Sequence, residues 1–426
     1  MKAAWLGIAM LLSACASTQA PRATDPSPYL LIFAADADGR EEDFFAVADV
    51  RSDSPTRGTV IATQPIGHRN SMPHHTEYQL PPPGRLLFAN AHHAEATLLV
   101  DVSRAPALTI TRSLAPPPPY RFTHDYARLP NGNVILGFLR SEGASPRPGD
   151  DLVPGGHGGL AEYTAGGELL RSASAAASGI SEPIRTYAIV PIPELDRVVT
   201  TSARMMEEHS ANVVQIWRNS DLTLLRTLAV PQGRNPDGSP LDWAAMLPFG
   251  PRLMPDGSVL MNSYMCAFYR LTDIASDEPR LTHVYDIHGR DPATPMTRVG
   301  CSVPLVIGHH WIMPVANSQM VVVLDVADPA APREIARLAM PADFNAHWAA
   351  SDPGSNRIVI GAEAGHEKGV YILLHDPRSG TLRFDHSVGA AGSPPGYIDL
   401  STPSWPHGAS GPARAHSALF LPAGRP

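Results

Sequence analysis

A repeated pattern constrains the fold of this chain more than any other feature of its sequence. Seven times between residues 40 and 385, an apolar run ends near an Asp or an aromatic residue and passes into a polar turn. These anchors follow one another at intervals of roughly 50 to 60 residues: Asp49, Asp101, Tyr163, Trp217, Asp273, Asp325 and Asp376. Short apolar strands with turn-rich breaks at such a period are typical of β-propellers, where each repeat is one four-stranded blade. We therefore predict an all-β fold, a seven-bladed β-propeller over residues 29–426.

The composition is typical of a protein made of strands and turns, and it argues against nucleic acid as a partner. The chain holds 44 Pro and 34 Gly, and its formal net charge is −8. Its only lysines are Lys2 and Lys368. Because no basic stripe is present, we predict no nucleic-acid partner.

The N-terminus is typical of a bacterial lipoprotein signal. Lys2 precedes a short apolar stretch that ends in Leu-Ser-Ala-Cys at Cys15, and the stretch is too short to span a membrane. We predict a signal peptide over 1–15, lipidation of Cys15 and a flexible tether over 16–28. The protein would then be a periplasmic or cell-surface lipoprotein, attached to the membrane only through Cys15. Such a compartment permits a disulfide between Cys266 and Cys301, although two buried free thiols fit the sequence equally well.

The 18 histidines are placed in a pattern. We take as the innermost strand of six blades the apolar runs that start at Arg85, Asn133, Arg197, Ser258, His310 and Arg357. In each run, we then count ten or eleven residues back from the first apolar residue. The residues found at this position are His75, His124, Tyr187, Phe249, Cys301 and His347. The C-terminal segment, which we expect to close the ring beside the first repeat, contains His416.

Equivalent positions in different blades converge on the propeller axis, so these imidazoles can form a metal site. The alternative is a solvated polar channel. The register does not separate His74 from His75, and since neighbouring strand residues point to opposite faces, we expect only one of them to face the axis. Cys301 is a possible further ligand. His92 and His93 are expected on an outer loop.

Two carboxylates stand beside the candidate ligands in the sequence, Glu77 and Asp125. They could orient imidazoles or act as bases. Equally, they could be solvated loop residues.

Four segments of the chain resemble the selenium-binding protein family, which includes the methanethiol oxidases. They are HHTEY at His74, THDYARLPNGNVI at His124, LDVADPAAPR at Asp325 and GPARAH at His416. The resemblance implies a seven-bladed propeller and a copper-dependent oxidase of a small thiol, with copper bound by His74, His75, His124 and His416. Two features depart from the family pattern. No Cys-Ser-Ser-Cys follows the His pair, so selenium binding through that motif is not expected, and His347 is an additional histidine.

Two functions from different classes follow. The first is a copper-dependent oxidoreductase, with zinc as the alternative metal, that oxidises a small thiol with oxygen as acceptor. The second is a non-catalytic propeller that binds a metal, a ligand or a partner protein. Fold alone does not decide between them.

Overall fold

The ring of sheets that the sequence repeat predicts is present in the computed structural model of the chain. The structure describes residues 25–424, except 148–149, 206–208, 235–239, 242–246, 289–299, 364–367 and 403. Seven antiparallel sheets follow one another along the chain, and their first strands contact one another around a common axis. The fold is therefore a seven-bladed β-propeller, as predicted.

Within each blade, the strands run from the channel outwards in chain order, except that the C-terminal strand is innermost in blade 1. From inside to outside, blade 1 comprises Ala413–Leu421, Tyr29–Asp36, Phe44–Asp49 and Val60–Pro65. Blade 2 comprises Pro73–Thr76, Leu87–Ala91, Ala96–Asp101 and Thr109–Leu114. Blade 3 comprises Tyr120–Arg128, Val134–Arg147, Gly159–Tyr163 and Leu169–Ser174, with Asp150–Gly156 paired to its second strand.

The remaining blades repeat this order. Blade 4 comprises Thr186–Ile192, Arg197–Ser202, Val213–Arg218 and Leu224–Ala229, and blade 5 comprises Pro248–Leu253, Val259–Ser263, Ala267–Thr272 and Arg280–Asp286. Blade 6 comprises Leu305–Ile307, His310–Val315, Met320–Asp325 and Arg333–Ala339. Blade 7 comprises Ala346–Ser351, Arg357–Ala362, Gly369–His375 and Leu382–Phe384, with Tyr397–Asp399 also paired to its third strand. A short hairpin pairs Gly233–Arg234 with Pro240–Leu241, and two 3-10 turns lie at Pro193–Leu195 and Ala316–Ser318.

Burial explains the apolar runs of the repeat. The second and third strands are buried along almost their whole length, as in Met320–Asp325, because each blade packs between two neighbours. The outermost strands are more exposed, and in Arg333–Ala339 every second residue is exposed. This alternation is expected where only one face of a strand is covered.

The repeated Asp at the end of the third strand has a local structural role. The Asp101 carboxylate accepts the N–H of Ser103, the Asp325 carboxylate that of Ala327, and the Asp376 carboxylate that of Arg378. An acidic side chain that accepts an N–H two residues later forms a tight turn. Each such repeat therefore leaves its third strand in the same way.

The ring is closed by pairing of the two ends of the domain. The strand Ala413–Leu421 pairs antiparallel with Tyr29–Asp36, from Leu421 opposite Tyr29 to Ala413 opposite Asp36. Ser27, which falls within the predicted tether, is buried and donates from its N–H and hydroxyl to the Asp352 carboxylate. The folded domain therefore begins no later than Ser27, and the tether boundary at residue 28 was too late.

The six runs that we took as innermost strands are the second strands of their blades. The run at Arg357, for example, pairs between Ala346–Ser351 on the channel side and Gly369–His375 on the outer side. Both inner strands of a blade are buried and apolar, so hydrophobicity does not distinguish them. Except in blade 6, where it reached Cys301, the step back from each run nevertheless reached the channel, because a hairpin of nearly constant length joins the second strand to the first.

Cys266 and Cys301 form a disulfide between blades 5 and 6, which decides the pairing that the sequence left open. The predicted signal peptide and Cys15 lie outside the described residues. In the part of the chain that the structure describes, no helix has the length and apolar character needed to cross a membrane.

Candidate metal centre

The predicted histidines lie where the inner strands lose their regular pairing. A register shift interrupts the inner strand of four blades. It lies between Pro73 and Thr76 in blade 2, between Thr123 and Asp125 in blade 3, between Ala346 and Trp348 in blade 7, and between Ala415 and Ala418 in blade 1. The histidines within these irregularities are His74, His75, His124, His347 and His416, together called the histidine cluster below. A bulge re-aims the side chain of the extra residue, so four blades direct imidazoles towards the channel.

The same irregularity occurs on two further blades without a histidine. In blade 4 it falls between Thr186 and Ile189, and in blade 5 between Pro248 and Pro251. These segments contain Tyr187 and Phe249, the two aromatic residues that occupied the equivalent position in the sequence. The ring of equivalent positions therefore consists of imidazoles on one side and aromatic rings on the other.

The members of the histidine cluster are buried and in mutual contact. The rings of His74 and His75 stack with centroids 4.0 Å apart, and the His416 ring lies 4.2 Å from that of His74. The Nε2 atoms of His74 and His124 are 3.2 Å apart, and the His347 ring lies 4.8 Å from the His416 ring. Nitrogen atoms of His74, His75 and His416 all fall within 4.8 Å of one another. Both members of the His74–His75 pair face the cluster, so our expectation that only one would do so was wrong; the bulge removes the strict alternation of a regular strand.

Hydrogen bonds to backbone carbonyls fix the tautomers of two imidazoles. His124 Nδ1 lies 2.6 Å from the Tyr187 carbonyl oxygen, and His75 Nδ1 lies 3.1 Å from the His124 carbonyl oxygen. A carbonyl only accepts, so each Nδ1 carries the proton and each Nε2 keeps its lone pair. Metal-bound histidines are oriented in this way, by donation from the second ring nitrogen.

Several other nitrogens of the cluster are buried and have no hydrogen-bond partner among the described residues. They are His74 Nδ1, His75 Nε2, both ring nitrogens of His347, and His416 Nδ1. A buried polar atom without a partner costs about 1–3 kcal/mol, and five in one cluster are far more than chance packing would leave. A metal ion would use the lone pair that each neutral imidazole carries on one of its two nitrogens.

Burial and mutual repulsion keep the imidazoles neutral. Burial lowers the pKa of His347 to about 4. The pKa values of His74, His75 and His416 lie well below the ordinary value. Burial is the larger cause, and repulsion between the charged forms of neighbouring imidazoles is the smaller one. Because a metal binds the neutral imidazole, the cluster is in the required protonation state at neutral pH.

The donor set also fits a metal in its spacing. Two nitrogens bound at about 2.0–2.1 Å to a tetrahedral ion are roughly 3.3 Å apart, and nitrogens of His74, His75 and His416 lie within 4.8 Å of one another, so small ring movements would bring them onto one ion. All of the donors are imidazoles, which suit zinc, copper, iron and nickel.

Beneath the cluster, residues from opposite blades cross the channel. Trp348 lies 5.3 Å from the His75 ring, and Tyr78 stacks on Trp348 at 5.2 Å. The Arg252 guanidinium lies 4.5 Å from the centre of the Tyr78 ring and donates to the Pro304 carbonyl oxygen. These three side chains, Tyr78, Arg252 and Trp348, form a channel floor that the sequence analysis did not identify, because none of them belongs to a recognisable motif.

Asp125 lies beside this floor and is buried. Its Oδ2 accepts the N–H of Ile189 at 2.7 Å. Burial raises its pKa to about 6, against the opposing effect of hydrogen bonds from Tyr78 and Ile189. Asp125 is therefore not a solvated loop residue; it joins blade 3 to blade 4.

The other predicted carboxylate does not contact the cluster. Glu77 is buried and forms a two-pronged ion pair with Arg128, at 2.7 Å to Nε and 2.6 Å to Nη2. It also accepts the N–H of Phe88. Glu77 thus has a structural role, and neither the solvated-loop nor the imidazole-orienting interpretation holds.

Two further expectations were wrong. Cys301 is not a free ligand, because its sulfur is bonded to Cys266. His92 is not on an outer loop: it is buried, its ring lies 5.7 Å from that of His74, and its Nδ1 lies 3.3 Å from the Thr123 carbonyl oxygen. It was misplaced because the strand before it was mistaken for the innermost one. Its neighbour His93 is exposed.

A pocket of about 360 Å³ opens onto the cluster, and none of the three channel-floor residues lines it. His74, His347 and His416 form its inner end. The other described residues that line it are Met72, Tyr187, Arg204, Met205, Leu247, Phe249, Tyr264, Met265 and Glu363. The cluster is thus both buried and within reach of a small molecule.

The chain matches no protein-family model and no curated protein. Among solved structures it is similar to a hypothetical selenium-binding protein from Sulfolobus tokodaii, with a TM-score of 0.69 and 13% identity over 93% of this chain and 94% of that chain. It is also similar to a periplasmic gluconolactonase of Pseudomonas aeruginosa, with a TM-score of 0.59 and 14% identity over 92% and 99% of the two chains. A putative 6-phosphogluconolactonase from Bacteroides uniformis gives 0.58 and 12% over 88% and 98%. At these identities the similarity establishes the fold alone.

Proposed function

We propose that this protein is a copper-dependent oxidase of a small thiol. The observation that carries the proposal is the histidine cluster: five buried imidazoles from four blades, several with unpartnered lone pairs, at the inner end of a pocket. His74, His75 and His416 would hold the ion, with His124 and His347 beside them. The resemblance of the histidine segments to the selenium-binding proteins, and the fold likeness to a protein of that title, support this choice over other metal-binding propellers.

Bound copper would supply one-electron redox chemistry and an affinity for sulfur. The residues of this chain would do the rest. The Tyr187 carbonyl fixes the tautomer of His124, the channel floor packs against His75, and all five imidazoles are buried. Each O₂ reduced to peroxide takes up two electrons and two protons, which two thiols supply when they join as a disulfide.

Oxygen uptake separates this proposal from its rival, a propeller that binds a metal without catalysis. Copper-loaded protein with methanethiol is expected to consume oxygen and form peroxide faster than the same free copper alone. His416→Ala should fall to that background, whereas His386→Ala, which removes an exposed histidine of blade 7, should not. Thermal melting of each metal-free variant shows whether it is folded.

Three results would argue against the oxidase. Uptake no faster than the matched free copper would favour the non-catalytic rival. Equal loss in both variants would mean that the cluster is not the site. Hydrolysis of gluconolactone by the same preparation, without thiol oxidation, would favour a lactonase.

A further inference from the structure

The pocket above the histidine cluster is larger than methanethiol requires, and its outer wall is aromatic. The His124 and Tyr187 rings are 3.9 Å apart, the Tyr187 and Phe249 rings 4.0 Å, and the Phe249 and Tyr264 rings 5.6 Å. We call Tyr187, Phe249 and Tyr264 the aromatic wall. It begins in direct contact with a member of the cluster and runs away from it along blades 4 and 5.

The wall occupies the same structural position as the cluster. Tyr187 and Phe249 lie in the bulges of blades 4 and 5, where blades 2, 3 and 7 carry imidazoles. A ligand in the channel mouth would therefore touch imidazoles with one end and aromatic rings with the other.

The rest of the lining favours an apolar, uncharged ligand. Three flexible thioether side chains, Met72, Met205 and Met265, face the pocket, and such side chains adapt to apolar shapes. Arg204 and Glu363 bring opposite charges to the lining, so neither a cation nor an anion is favoured overall.

The volume of about 360 Å³ lies at the lower end of the range for pockets that hold ligands of several rings or branches, about 300–1,000 Å³. A thiol of two heavy atoms would occupy a small part of it and leave the aromatic wall uncovered. A thiol with one aromatic ring would place its sulfur at the cluster and its ring against Phe249.

We propose that the substrate is an uncharged thiol that carries an aromatic or similarly bulky apolar group, such as a benzyl thiol, and that the aromatic wall selects it. This inference rests on the proposed function for the role of the sulfur. The recognition of the apolar group depends only on the pocket.

Binding to the metal-free protein tests the pocket apart from any oxidation. Calorimetry would compare benzyl methyl sulfide with 2-hydroxyethyl methyl sulfide. Neither compound forms a thiolate, and only the first carries an aromatic ring. The benzyl compound should bind at least about 5-fold more tightly. Phe249→Leu should weaken its binding by about 2- to 10-fold, the usual contribution of one aromatic contact. Phe384→Leu, on the outermost strand of blade 7, should leave it unchanged.

A filling substitution gives the opposite test. Met265→Trp should reduce binding of the benzyl compound more than that of the hydroxyethyl compound, since its indole would fill part of the pocket that Met265 lines. Equal binding of the two sulfides, or no effect of Phe249→Leu, would overturn the inference even if methanethiol is oxidised. Selective benzyl binding without oxidation of any thiol would instead leave the pocket assignment standing and overturn the proposed oxidase.

Discussion

Acid should destabilise the metal-free protein through its buried imidazoles, and His347 allows the effect to be calculated. Its pKa is about 4 in the folded protein and 6.5 in the ordinary exposed state. At pH 7 both states are neutral. At pH 5 the unfolded imidazole is protonated and the folded one is still largely neutral, so the unfolded state gains protons and stability falls with falling pH. Between pH 7 and pH 5, His347 alone should lower the free energy of unfolding by about 2 kcal/mol.

The assay is urea denaturation of chelator-treated protein at pH 7 and pH 5. His347→Asn removes the titrating group, so its free energy of unfolding should fall by about 2 kcal/mol less than that of the wild type over this interval. The remaining cluster histidines have pKa values shifted in the same direction, so the variant should still lose stability in acid. His386→Asn, at an exposed position, serves as the control. An identical pH dependence in wild type and His347→Asn would refute the claim that His347 is buried in its neutral form.

Three more predictions concern the ring, the packing and the N-terminus. Deletion of residues 411–426 removes the inner strand of blade 1, and because it exposes a sheet edge it should abolish cooperative melting; a wild-type melting temperature would contradict ring closure. Gly361→Ala would place a Cβ 2.1 Å from the His416 carbonyl oxygen. Melting should show a loss of about 1–3 kcal/mol in the free energy of unfolding, and metal titration should show binding weakened about 10-fold or more. Unchanged metal affinity would mean that His416 is not a ligand. Cys15→Ser should release the protein from the membrane fraction or block its processing, and unchanged attachment in cell fractionation would contradict lipidation.

The sequence predicted the blade count because an apolar third strand followed by a polar turn recurs in every blade, in four of them with an Asp that accepts the N–H two residues later. It also reached His75, His124 and His347, since the bulge falls at a nearly constant distance before the second strand, while His416 followed from the expected ring closure and His74 from its place beside His75. It did not distinguish the innermost strand from the second one, because both are buried and equally apolar. That error placed His92 on an outer loop.

Features that depend on contacts between blades were beyond the sequence. The channel floor brings together Tyr78, Arg252 and Trp348, which are far apart in the chain and follow no shared spacing. The partner of Glu77 is Arg128 of the next blade, so its role could not be read from its neighbours. The bulge at Pro73–Thr76 likewise depends on pairing with Leu87–Ala91, and it is the bulge that turns both His74 and His75 to one site.

The most direct test of the metal centre is anomalous diffraction at the copper absorption edge from a crystal of copper-loaded protein. We predict a strong peak at about 2.0 Å from imidazole nitrogens of His74, His75 and His416. A map without a peak among these residues, or with copper bound only elsewhere on the protein, would contradict the assignment of the histidine cluster as a metal site.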